Sequence, residues 1–496
     1  MRSLGRMLVV SLLSGGFGSL GLAPHGFWLA TVFSLALTFF FFSRITTGAR
    51  AFWLGWVYGS GYFVVALIWI MEPFFVEPEI YGWMAPFALL LTAGGLALFW
   101  AAAFRLAFAL PYRSAFVLTL TWGLLELARA NLFTGFPWAA HSQIWLGHGP
   151  DLLLGWIGPH GLSLLTLWAG YAIYFLFSYS QPLWLRSAPS LFIALSLGYG
   201  FIHLWSLPDV EFSDKTVRIV QPNAPQDEKW DVEKAPLFFA RQIEATRMGA
   251  TRPDLIIWPE TSLFKTLGNA TDLLLQMKQA AMGSIVVFGA NRNEENKYYN
   301  SLVVLDQNGE ISDIYDKHHL VPFGEYLPFS NLFNAFGIRG IAEWIDGGYA
   351  AGSGPNLISI SHMGTMIPLI CYEAIFSRYS MTKGERPEFL LQITNDAWFG
   401  TYSGPYQHFA QARMRAIEQG LPMIRSANTG VSAMIDPYGR ILAKIDLDQH
   451  GFVDVGLPKA NHPTLYSRTG DWPIVLLYLI SILYLIIKQY RTLTLK

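Results

Sequence analysis

Long apolar stretches separated by short polar loops fill the first part of this 496-residue chain. A membrane-spanning helix needs about 20 mostly apolar residues. Stretches of this kind occur near residues 7–23, 26–43, 52–71, 86–110, 113–129, 156–178 and 189–206, and again at 472–487. The hydrophobic pattern therefore predicts a multi-pass α-helical membrane bundle of about eight spans.

The pattern changes after about residue 213 and keeps its new form to about 468. Short apolar runs typical of buried strands alternate there with stretches of helical periodicity. The predicted strands lie at 216–220, 255–258, 284–288, 301–305, 389–393 and 432–435, and the predicted helices at 231–249, 270–281 and 404–419. We predict a layered α/β domain at 213–468, after a membrane bundle at 1–212 and before a last span and tail at 469–496.

Two turn sequences support the predicted sheet structure. Asp306-Gln-Asn-Gly309 follows a predicted strand and contains the Asn-Gly pair that favours a tight hairpin. Asp436-Pro-Tyr-Gly439 has similar turn chemistry. Both turns indicate antiparallel strand pairs within the α/β domain.

The composition agrees with a protein embedded in lipid. Hydrophobic residues make up 52% of the chain and charged residues 14%, against a usual charged share of about 25%. A formal net charge of −1 argues against nucleic-acid binding, which calls for a basic excess. Cys371 is the only cysteine, so an internal disulfide is excluded.

Basic residues in the short loops predict the orientation, because lysine and arginine accumulate on the cytoplasmic side. With eight spans, one side carries Arg2, Arg6, Arg44, Arg50, Arg105, Arg113, Arg186, Lys488, Arg491 and Lys496. The short loops of the other side carry Glu72, Glu77, Glu79 and Asp151, with Arg129 near a helix end. Both termini are therefore predicted to be cytoplasmic, and the 213–468 domain periplasmic in a bacterium with two membranes.

The N-terminal segment also has features of a cleaved signal peptide, because Arg2 and Arg6 precede an apolar run. Further predicted spans follow at once. We therefore expect the segment to be retained as the first span.

Three predicted strand ends carry the candidate chemistry. The run Pro368-Leu-Ile ends at Cys371, the run Leu255-Ile-Ile-Trp-Pro ends at Glu260, and Tyr315-Asp precedes Lys317. A thiol needs a base or a nearby positive charge to become the reactive thiolate. We predict Cys371 as the nucleophile and Glu260 as the general base. Lys317, with a backbone N–H near Cys371, would stabilise the oxyanion of an acyl transfer through a thioester.

Each of these residues also has an ordinary structural interpretation. A single cysteine after an apolar run is typical of a buried core thiol, and Glu260 and Lys317 taken singly are typical of surface charges or one salt bridge. His318-His319 raises the question of a metal site. Adjacent histidines point apart on a strand, however, and no cysteine or third histidine lies at ligand spacing, so we expect no metal. The joint occurrence of the three residues in one domain favours catalysis.

Longer motifs give the chain a family resemblance. They are Thr134-Gly-Phe-Pro-Trp138, Gln221-Pro-Asn-Ala-Pro followed by Trp230, Tyr299-Asn300, His319-Leu-Val-Pro-Phe-Gly-Glu325-Tyr-Leu-Pro328, Cys371-Tyr372-Glu373, Thr394-Asn-Asp-Ala-Trp-Phe-Gly400, Gln407-His408-Phe and Ala412-Arg-Met-Arg415. On these residues the domain resembles the carbon–nitrogen hydrolase (nitrilase) superfamily, whose Glu-Lys-Cys triad matches Glu260, Lys317 and Cys371. With its spans, the whole chain resembles the apolipoprotein N-acyltransferase family. The resemblance implies an αββα sandwich on an eight-helix membrane bundle.

The resemblance also implies a reaction. Cys371 would attack an acyl ester of a phospholipid, giving a thioester and a lysophospholipid. The α-amine of a diacylglyceryl-modified N-terminal cysteine on an apolipoprotein would then take the acyl chain, with ping-pong kinetics. No soluble cofactor and no metal is implied. The expected partners are the phospholipid donor, the apolipoprotein acceptor and the bilayer of the bacterial inner membrane, and the enzyme is expected to be a monomer.

Five further residues match family positions near the triad. Glu325 and Glu373 match acidic residues expected to orient Lys317 and Cys371. Tyr372 and Trp230 match residues needed for activity, and Asn300 is included from the Tyr299-Asn300 match. For Glu373 the alternative is an ordinary cap of the helix that follows Cys371.

An aromatic stretch at 327–345 is ill-suited to a fully solvated loop. It contains Phe329, Leu332, Phe333, Phe336, Ile338 and Trp344. We predict a lid that enters the membrane interface and admits acyl chains, and ordinary core packing is the alternative.

Two other functions fit part of the pattern. In a membrane-tethered amidase or nitrilase, the same triad would form the thioester and water would resolve it. The spans and the apolar stretch favour a lipid substrate over that alternative. In a transporter or binding scaffold the outer domain would only bind, but Glu126 is one of few acids within the predicted spans, and a charged transport pathway usually has more.

Overall fold

The computed structural model describes residues 2–110, 114–177, 183–249, 252–328, 348–382 and 384–494. The chain divides into two compact units. The first comprises Met1–Pro208, Tyr402–Ala410 and Pro463–Lys496, and the second Asp209–Thr401 and Gln411–His462. The predicted lid lies outside the described residues from position 329 onward.

The two units differ in secondary structure. The α-helices of five or more residues, in chain order, are α1 (Arg2–Gly18), α2 (Trp28–Ser43), α3 (Gly48–Ala66), α4 (Ala85–Ala109), α5 (Ala115–Asn131), α6 (Leu154–Leu176), α7 (Leu183–Leu204), α8 (Ala235–Arg247), α9 (Thr271–Ala281), α10 (Gly404–Gln419), α11 (Leu465–Thr469) and α12 (Trp472–Thr494). The strands are β1 (Phe212–Gln221), β2 (Leu255–Ile257), β3 (Ile285–Glu294), β4 (Lys297–Leu305), β5 (Ile311–Asp316), β6 (Ile358–Ile360), β7 (Gly364–Ile370), β8 (Phe389–Thr394), β9 (Met423–Ala427), β10 (Ser432–Ile435), β11 (Ile441–Ile445) and β12 (Gly451–Pro458).

Apolar helices make up most of the first unit. Among the described residues, four helical segments are long and apolar enough to cross a membrane: Leu4–Gly21, Pro78–Ala109, Pro150–Leu176 and Ser187–Leu204. A fifth forms if Gly48–Ala66 and Ile68–Phe75, which meet at a 48° bend, are one span. Trp28–Ser43 and Trp472–Lys488 are shorter apolar helices. A helix lies at each of the eight predicted places, but the predicted number of eight spans is not confirmed.

Buried aromatic rings pack α3, α4 and α5 together. Trp100 of α4 stacks on Tyr58 of α3 with 5.6 Å between ring centroids and meets Trp122 of α5 at 4.9 Å. All three side chains are fully buried. The close approach requires Gly55 on α3, because a Cβ there would lie 2.8 Å from the carbonyl oxygen of Trp100. A small residue at the contact lets the two helix backbones approach, as is common in membrane bundles.

An ion pair within this unit fixes the loop that follows α5. Arg129 and Glu126 are both buried and are joined by two hydrogen bonds of 2.8 and 2.9 Å. Arg129 also donates to the carbonyl oxygen of Trp138 at 2.9 Å, and Trp100 donates to Glu126 at 2.6 Å. Each charge therefore has partners that offset its loss of water. The pair ties the 134–138 motif to the helices.

Two six-stranded sheets form the centre of the second unit. Their strand orders are β12-β1-β2-β3-β4-β5 and β11-β10-β9-β8-β7-β6. The strands β1, β2 and β3 are parallel in the first sheet, and β7, β8 and β9 are parallel in the second. The remaining pairs are antiparallel.

The apolar core lies between the two sheets and under the helices. Leu255 and Ile257 join a cluster that also contains Ile370 and Leu391 of the second sheet. Ile256, which points to the other face, joins a cluster with side chains of α8 and α9. A strand buried on both faces has a continuous apolar sequence, as the sequence analysis assumed for β2. The predicted αββα sandwich is confirmed.

Both predicted turns are present. Gly309 has a φ of 76° and its N–H donates to the carbonyl oxygen of Asp306 at 2.9 Å. Gly439 has a φ of 80° and makes the same bond to Asp436 at 2.9 Å. The left-handed conformation that each turn requires is the one glycine adopts without strain.

Replacing Arg129 by Gln is expected to lower the thermal stability of the protein. The change leaves the Glu126 carboxylate buried without its cation, and loss of one partner from a buried pair costs roughly 3–5 kcal/mol. The midpoint of thermal unfolding in detergent measures the effect. The exposed Arg105 provides the control, since Arg105→Gln should leave the midpoint almost unchanged. Equal midpoints for R129Q and R105Q would contradict a structural role of the pair.

Candidate active site

The ends of three strands place the predicted catalytic residues in the second unit. Cys371 directly follows β7, Lys317 directly follows β5, and Glu260 stands three residues after β2. All three side chains are buried. Glu260 and Lys317 follow strands of the first sheet, and Cys371 follows a strand of the second. The strand ends of the two sheets therefore meet at one site.

The Glu260 carboxylate is held at both oxygens. Asn300 Nδ2 donates to Oε1 at 2.7 Å, and the backbone N–H of Asn395 donates to Oε2 at 2.7 Å. Lys317 Nζ lies 3.6 Å from Oε1. The carboxylate is therefore fixed in direction and lies beside the cation that the sequence analysis assigned to the same site.

Lys317 lies between two carboxylates. Its Nζ donates to Glu325 Oε1 at 2.8 Å and faces Glu260 at 3.6 Å. Burial by itself would lower the pKa of Lys317, but Glu325 and Glu260 outweigh this effect and hold the pKa above its ordinary value. The backbone N–H of Lys317 bonds to the carbonyl oxygen of Asn300 at 2.8 Å. The lysine is thus a fixed cation at neutral pH.

The thiol of Cys371 is held in its neutral form. Burial raises the pKa of the Cys371 thiol well above its ordinary value, and Glu260 adds to the rise. Lys317 and a hydrogen bond with Thr394 oppose it only in part. The residue has a φ of 50°, a left-handed conformation that non-glycine residues rarely adopt. A thiol in this state requires a base before it can act as a nucleophile.

Glu325 and Asn300 complete the charge cluster. Glu325 Oε2 accepts a hydrogen bond from the backbone N–H of Val321 at 2.8 Å, and Asn300 Nδ2 lies 3.3 Å from Glu325 Oε1. Asn300 therefore contacts both carboxylates that flank Lys317. Both predicted supporting residues are thus in direct hydrogen-bond contact with the predicted base or the predicted cation.

Glu373 joins the turn of Cys371 to the strand end that carries Lys317. It is fully buried and accepts hydrogen bonds from the backbone N–H groups of Ile370 at 2.8 Å and His318 at 2.9 Å. Tyr315 Oη donates to the same carboxylate at 3.0 Å. The bond from Ile370 matches the capping alternative, and the other bonds go beyond it. Glu373 caps the turn and also ties two strand ends together.

The adjacent histidines and Tyr372 pack beside this connection. His318 Nδ1 lies 2.6 Å from Tyr315 Oη and 2.6 Å from Glu373 Oε1. His319 stacks on Tyr372 with 5.7 Å between ring centroids. Burial lowers the pKa of His319 to about 4, so its ring is neutral at pH 7.

Trp230 differs from the other predicted site residues in its exposure to solvent. It is 41% exposed, while the triad is buried. It contacts the neighbouring Lys229, whose Nζ lies 5.5 Å from the centre of the Trp230 ring. Both residues line a small pocket that also reaches Glu260.

Sequence reasoning missed Lys229, Asn395 and the pair formed by Asp396 and Arg425. Lys229 Nζ lies 3.1 Å from the carbonyl oxygen of Glu260. Asp396 and Arg425 are fully buried and joined at 2.5 Å. Asn395 and Asp396 belong to the motif Thr394-Asn-Asp-Ala-Trp-Phe-Gly400 at the end of β8. This motif was a signal from which they could have been found. Lys229 follows Asp227-Glu228 and therefore has the sequence context of an exposed residue.

Gly289 of β3 fits tightly against the turn that carries Glu260. A Cβ at this position would lie 2.6 Å from the Cα of Glu260 and 2.4 Å from the backbone nitrogen of Thr261. The two segments are also bonded, since Ser262 N–H donates to the carbonyl oxygen of Gly289 at 2.7 Å. The absence of a side chain at Gly289 thus sets the position of the predicted base.

Comparison with known proteins covers both parts of the chain. Residues 216–460 match the family model described as carbon-nitrogen hydrolase, and residues 14–172 match the model described as apolipoprotein N-acyltransferase N-terminal domain. A protein of Rhodopseudomonas palustris named apolipoprotein N-acyltransferase is 36% identical, over 97% of this chain and 95% of its own. One of the same name from Rhizobium rhizogenes is 35% identical, over 93% of this chain and 91% of its own. The resemblance expected from the motifs is confirmed.

Solved structures of the carbon–nitrogen hydrolase superfamily are also similar to part of the chain. A CN-hydrolase superfamily protein from Xanthomonas campestris is 21% identical, with a TM-score of 0.38. The match covers 53% of this chain and 97% of that protein.

Gly289→Ala is expected to disturb the site through the position of Glu260. The added methyl group must displace backbone atoms, which costs about 1–3 kcal/mol, and a displacement of the base should slow acyl transfer through Cys371 by about 10-fold or more. Thermal unfolding and the rate of Cys371 acylation measure the two effects. Gly268→Ala is the matched control, because a Cβ at Gly268 meets nothing within 4 Å. Equal rates for the two variants would contradict the proposed constraint.

Glu260→Gln is expected to lower the pKa of the Cys371 thiol and, at the same time, to slow acyl transfer. The negative charge of Glu260 raises the pKa of the thiol, so its removal should let iodoacetamide alkylate Cys371 at lower pH than in the wild type. Loss of the base should nevertheless slow acyl transfer by about 10²–10⁴-fold. Mass spectrometry of the Cys371 peptide across a pH series measures the first effect. An alkylation profile that shifts to higher pH would contradict the electrostatic assignment.

Proposed function

The chain belongs to the apolipoprotein N-acyltransferase family, and from this membership we propose that it transfers a fatty acyl chain from a phospholipid to an apolipoprotein. The acceptor is the α-amine of the diacylglyceryl-modified cysteine at the apolipoprotein N-terminus. The proposal is carried by the surroundings of the buried cation Lys317. Its Nζ lies 3.6 Å from Glu260 Oε1 and 2.8 Å from Glu325 Oε1. The thiol of Cys371 lies at the same group of strand ends. Glu260, Lys317 and Cys371 are the proposed catalytic triad.

In the first half-reaction, Glu260 takes the proton of the Cys371 thiol and the thiolate attacks the carbonyl carbon of the phospholipid ester. Negative charge moves to the ester oxygen, where Lys317 stabilises it. The C–O bond then breaks, and the leaving lysophospholipid oxygen takes the proton back from Glu260. The products are an acyl thioester at Cys371 and a lysophospholipid with a free hydroxyl group.

In the second half-reaction, the α-amine of the acceptor attacks the thioester carbonyl and Glu260 accepts a proton from the amine nitrogen. The C–S bond breaks, the proton returns to the thiolate of Cys371, and an amide is formed. Because the two substrates use the same nucleophile in turn, the kinetics are ping-pong. Neither half-reaction requires a cofactor.

The supporting residues have distinct roles in this proposal. Glu325 keeps Lys317 charged, Asn300 sets the distance between the two carboxylates, and Glu373 holds the turn of Cys371. Tyr372 packs beside that turn. Trp230 stands at the exposed rim of the pocket that reaches Glu260 and contacts substrate there.

The apolar helices of the first unit support a membrane location. Exposing an acyl chain to water costs roughly 0.8 kcal/mol per CH₂ group, so an enzyme whose two substrates carry such chains works best in a bilayer. We place the protein in the bacterial inner membrane as a monomer with eight spans. Its termini are then cytoplasmic, the catalytic domain (213–468) is periplasmic, and the flanking regions (1–212 and 469–496) lie in the membrane.

Mass spectrometry of the purified protein incubated with phospholipid tests the proposal. The expected result is a mass increase of one acyl chain on the peptide that contains Cys371. A diacylglyceryl-cysteine peptide should then remove the adduct and appear as its N-acyl product. The Cys371→Ala variant, which lacks the only thiol of the chain, is the control and should form no adduct.

The same experiment separates the alternatives. If phospholipid leaves Cys371 unmodified, the lipid-donor proposal is wrong. If the adduct forms but only water removes it, the protein is a membrane-tethered hydrolase that releases a free fatty acid.

A further inference from the structure

A second buried amine lies next to the general base. Lys229 is 7% exposed, and its Nζ bonds to the carbonyl oxygen of Glu260 at 3.1 Å and to Thr261 Oγ1 at 2.6 Å. The triad does not include this residue, and neither half-reaction uses it. A buried lysine is unfavourable unless its ammonium group has partners, and here both partners belong to the turn that carries Glu260.

The turn itself is strained. Thr261 has a φ of 48°, in the left-handed region that costs a non-glycine residue about 1–3 kcal/mol unless its surroundings impose it. Gly289 closes one side of the turn, as described above. The carboxylate oxygens of Glu260 are held by Asn300 and by the backbone of Asn395. Lys229 contacts the backbone between these fixed points.

The segment that carries Lys229 is also firmly held. The N–H of Lys229 bonds to the carbonyl oxygen of Pro225 at 2.8 Å. Gln226 Oε1 accepts a hydrogen bond from Asn395 Nδ2 at 2.7 Å. Asn395 is therefore bonded to both the Lys229 segment and the Glu260 carboxylate. The backbone of Lys229 is therefore fixed in place, so its side chain can hold the turn.

The charge of Lys229 is matched to the site. Burial lowers the pKa of Lys229 to about 8, while Glu260 and Cys371 act to raise it. The amine is therefore mostly protonated at pH 7. Two ammonium groups, Lys229 and Lys317, then balance the carboxylates of Glu260 and Glu325.

We propose that Lys229 is a positioning residue that holds the strained Glu260–Thr261 turn, so that the Glu260 carboxylate stays aligned with Cys371 and Lys317. The inference rests on the proposed function, in which Glu260 moves the proton of the Cys371 thiol. It assigns Lys229 no direct contact with the acyl group. Its effect must therefore disappear when the carboxylate is absent.

A double-mutant cycle with Lys229→Met and Glu260→Gln tests this assignment. The quantity measured is the rate of Cys371 thioester formation from phospholipid vesicles, followed by intact-protein mass spectrometry over a range of lipid concentrations. Because K229M removes the hydrogen bonds that the charged ammonium group of Lys229 donates, we expect it to lower the maximal rate by about 10- to 100-fold. The half-saturating lipid concentration should stay within about twofold of the wild type. In the E260Q background, K229M should change the rate by less than about threefold.

Lys234→Met is the matched control, because Lys234 lies on the same segment and makes an exposed pair with Glu228. It should leave the maximal rate unchanged. If K229M lowers thermal stability below the assay temperature, Lys229→Gln, which retains an uncharged donor on a side chain one atom shorter, is carried through the same cycle and should show a loss that also disappears in E260Q.

The outcomes are distinct. A maximal rate for K229M, or for a folded K229Q, that equals the wild type overturns the inference, and so does an equal loss in the E260Q background. If the wild-type protein itself forms no thioester, the proposed function is wrong and this inference is wrong with it. If the wild type forms the thioester and only the cycle fails, the proposed function stands without a role for Lys229.

Discussion

The contact of Lys317 with Glu325 and Glu260 is the interaction on which the rest of the catalytic unit depends. Moving an ion from water into a protein interior costs several kcal/mol even after relaxation, and Lys317 is almost completely buried. The two carboxylates at 2.8 and 3.6 Å offset that cost. They in turn require Asn300 and backbone N–H groups, so the polar cluster is stable only as a whole. Lys229 adds a second positive charge next to Glu260.

The same cluster explains the protonation state of the Cys371 thiol. Cys371 is surrounded by apolar core residues and lies near a carboxylate, so its thiol stays protonated. A protonated, buried thiol reacts slowly with oxidants, because oxidation proceeds through the thiolate. In the proposed function, this single cysteine stays reduced until Glu260 removes its proton.

The first unit follows a different physical rule. Its helices associate through close packing of small and aromatic residues, because burial of apolar surface supplies little drive where the surroundings are also apolar. The exception is the pair formed by Glu126 and Arg129, which satisfies the carbonyl oxygen of Trp138. Charged groups at such positions are often functional, and here their partners are backbone and side-chain atoms of the same unit. The pair has a structural explanation.

The sequence by itself determined the class of both parts of the chain and many of their elements, and it predicted Glu260, Lys317 and Cys371 as the catalytic residues. Apolar runs of strand and helix length depend only on local periodicity, which is why the strand ends at Glu260, Lys317 and Cys371 and both glycine turns were predicted correctly. The motifs determined the family. The number of spans was less accessible, since several helices are shorter or less apolar than a bilayer requires.

Only the tertiary structure decided which residues that are distant in the sequence contact one another. Lys229 looks like an exposed lysine in a polar stretch, yet it is buried against the backbone of Glu260. Glu373 looks like a helix cap, yet it also bonds to the strand end of Lys317. Gly289 lies in an ordinary strand sequence, yet the absence of a side chain there sets the position of Glu260. Each of these roles depends on a contact between segments far apart in the chain, and a periodic pattern carries no information about such contacts.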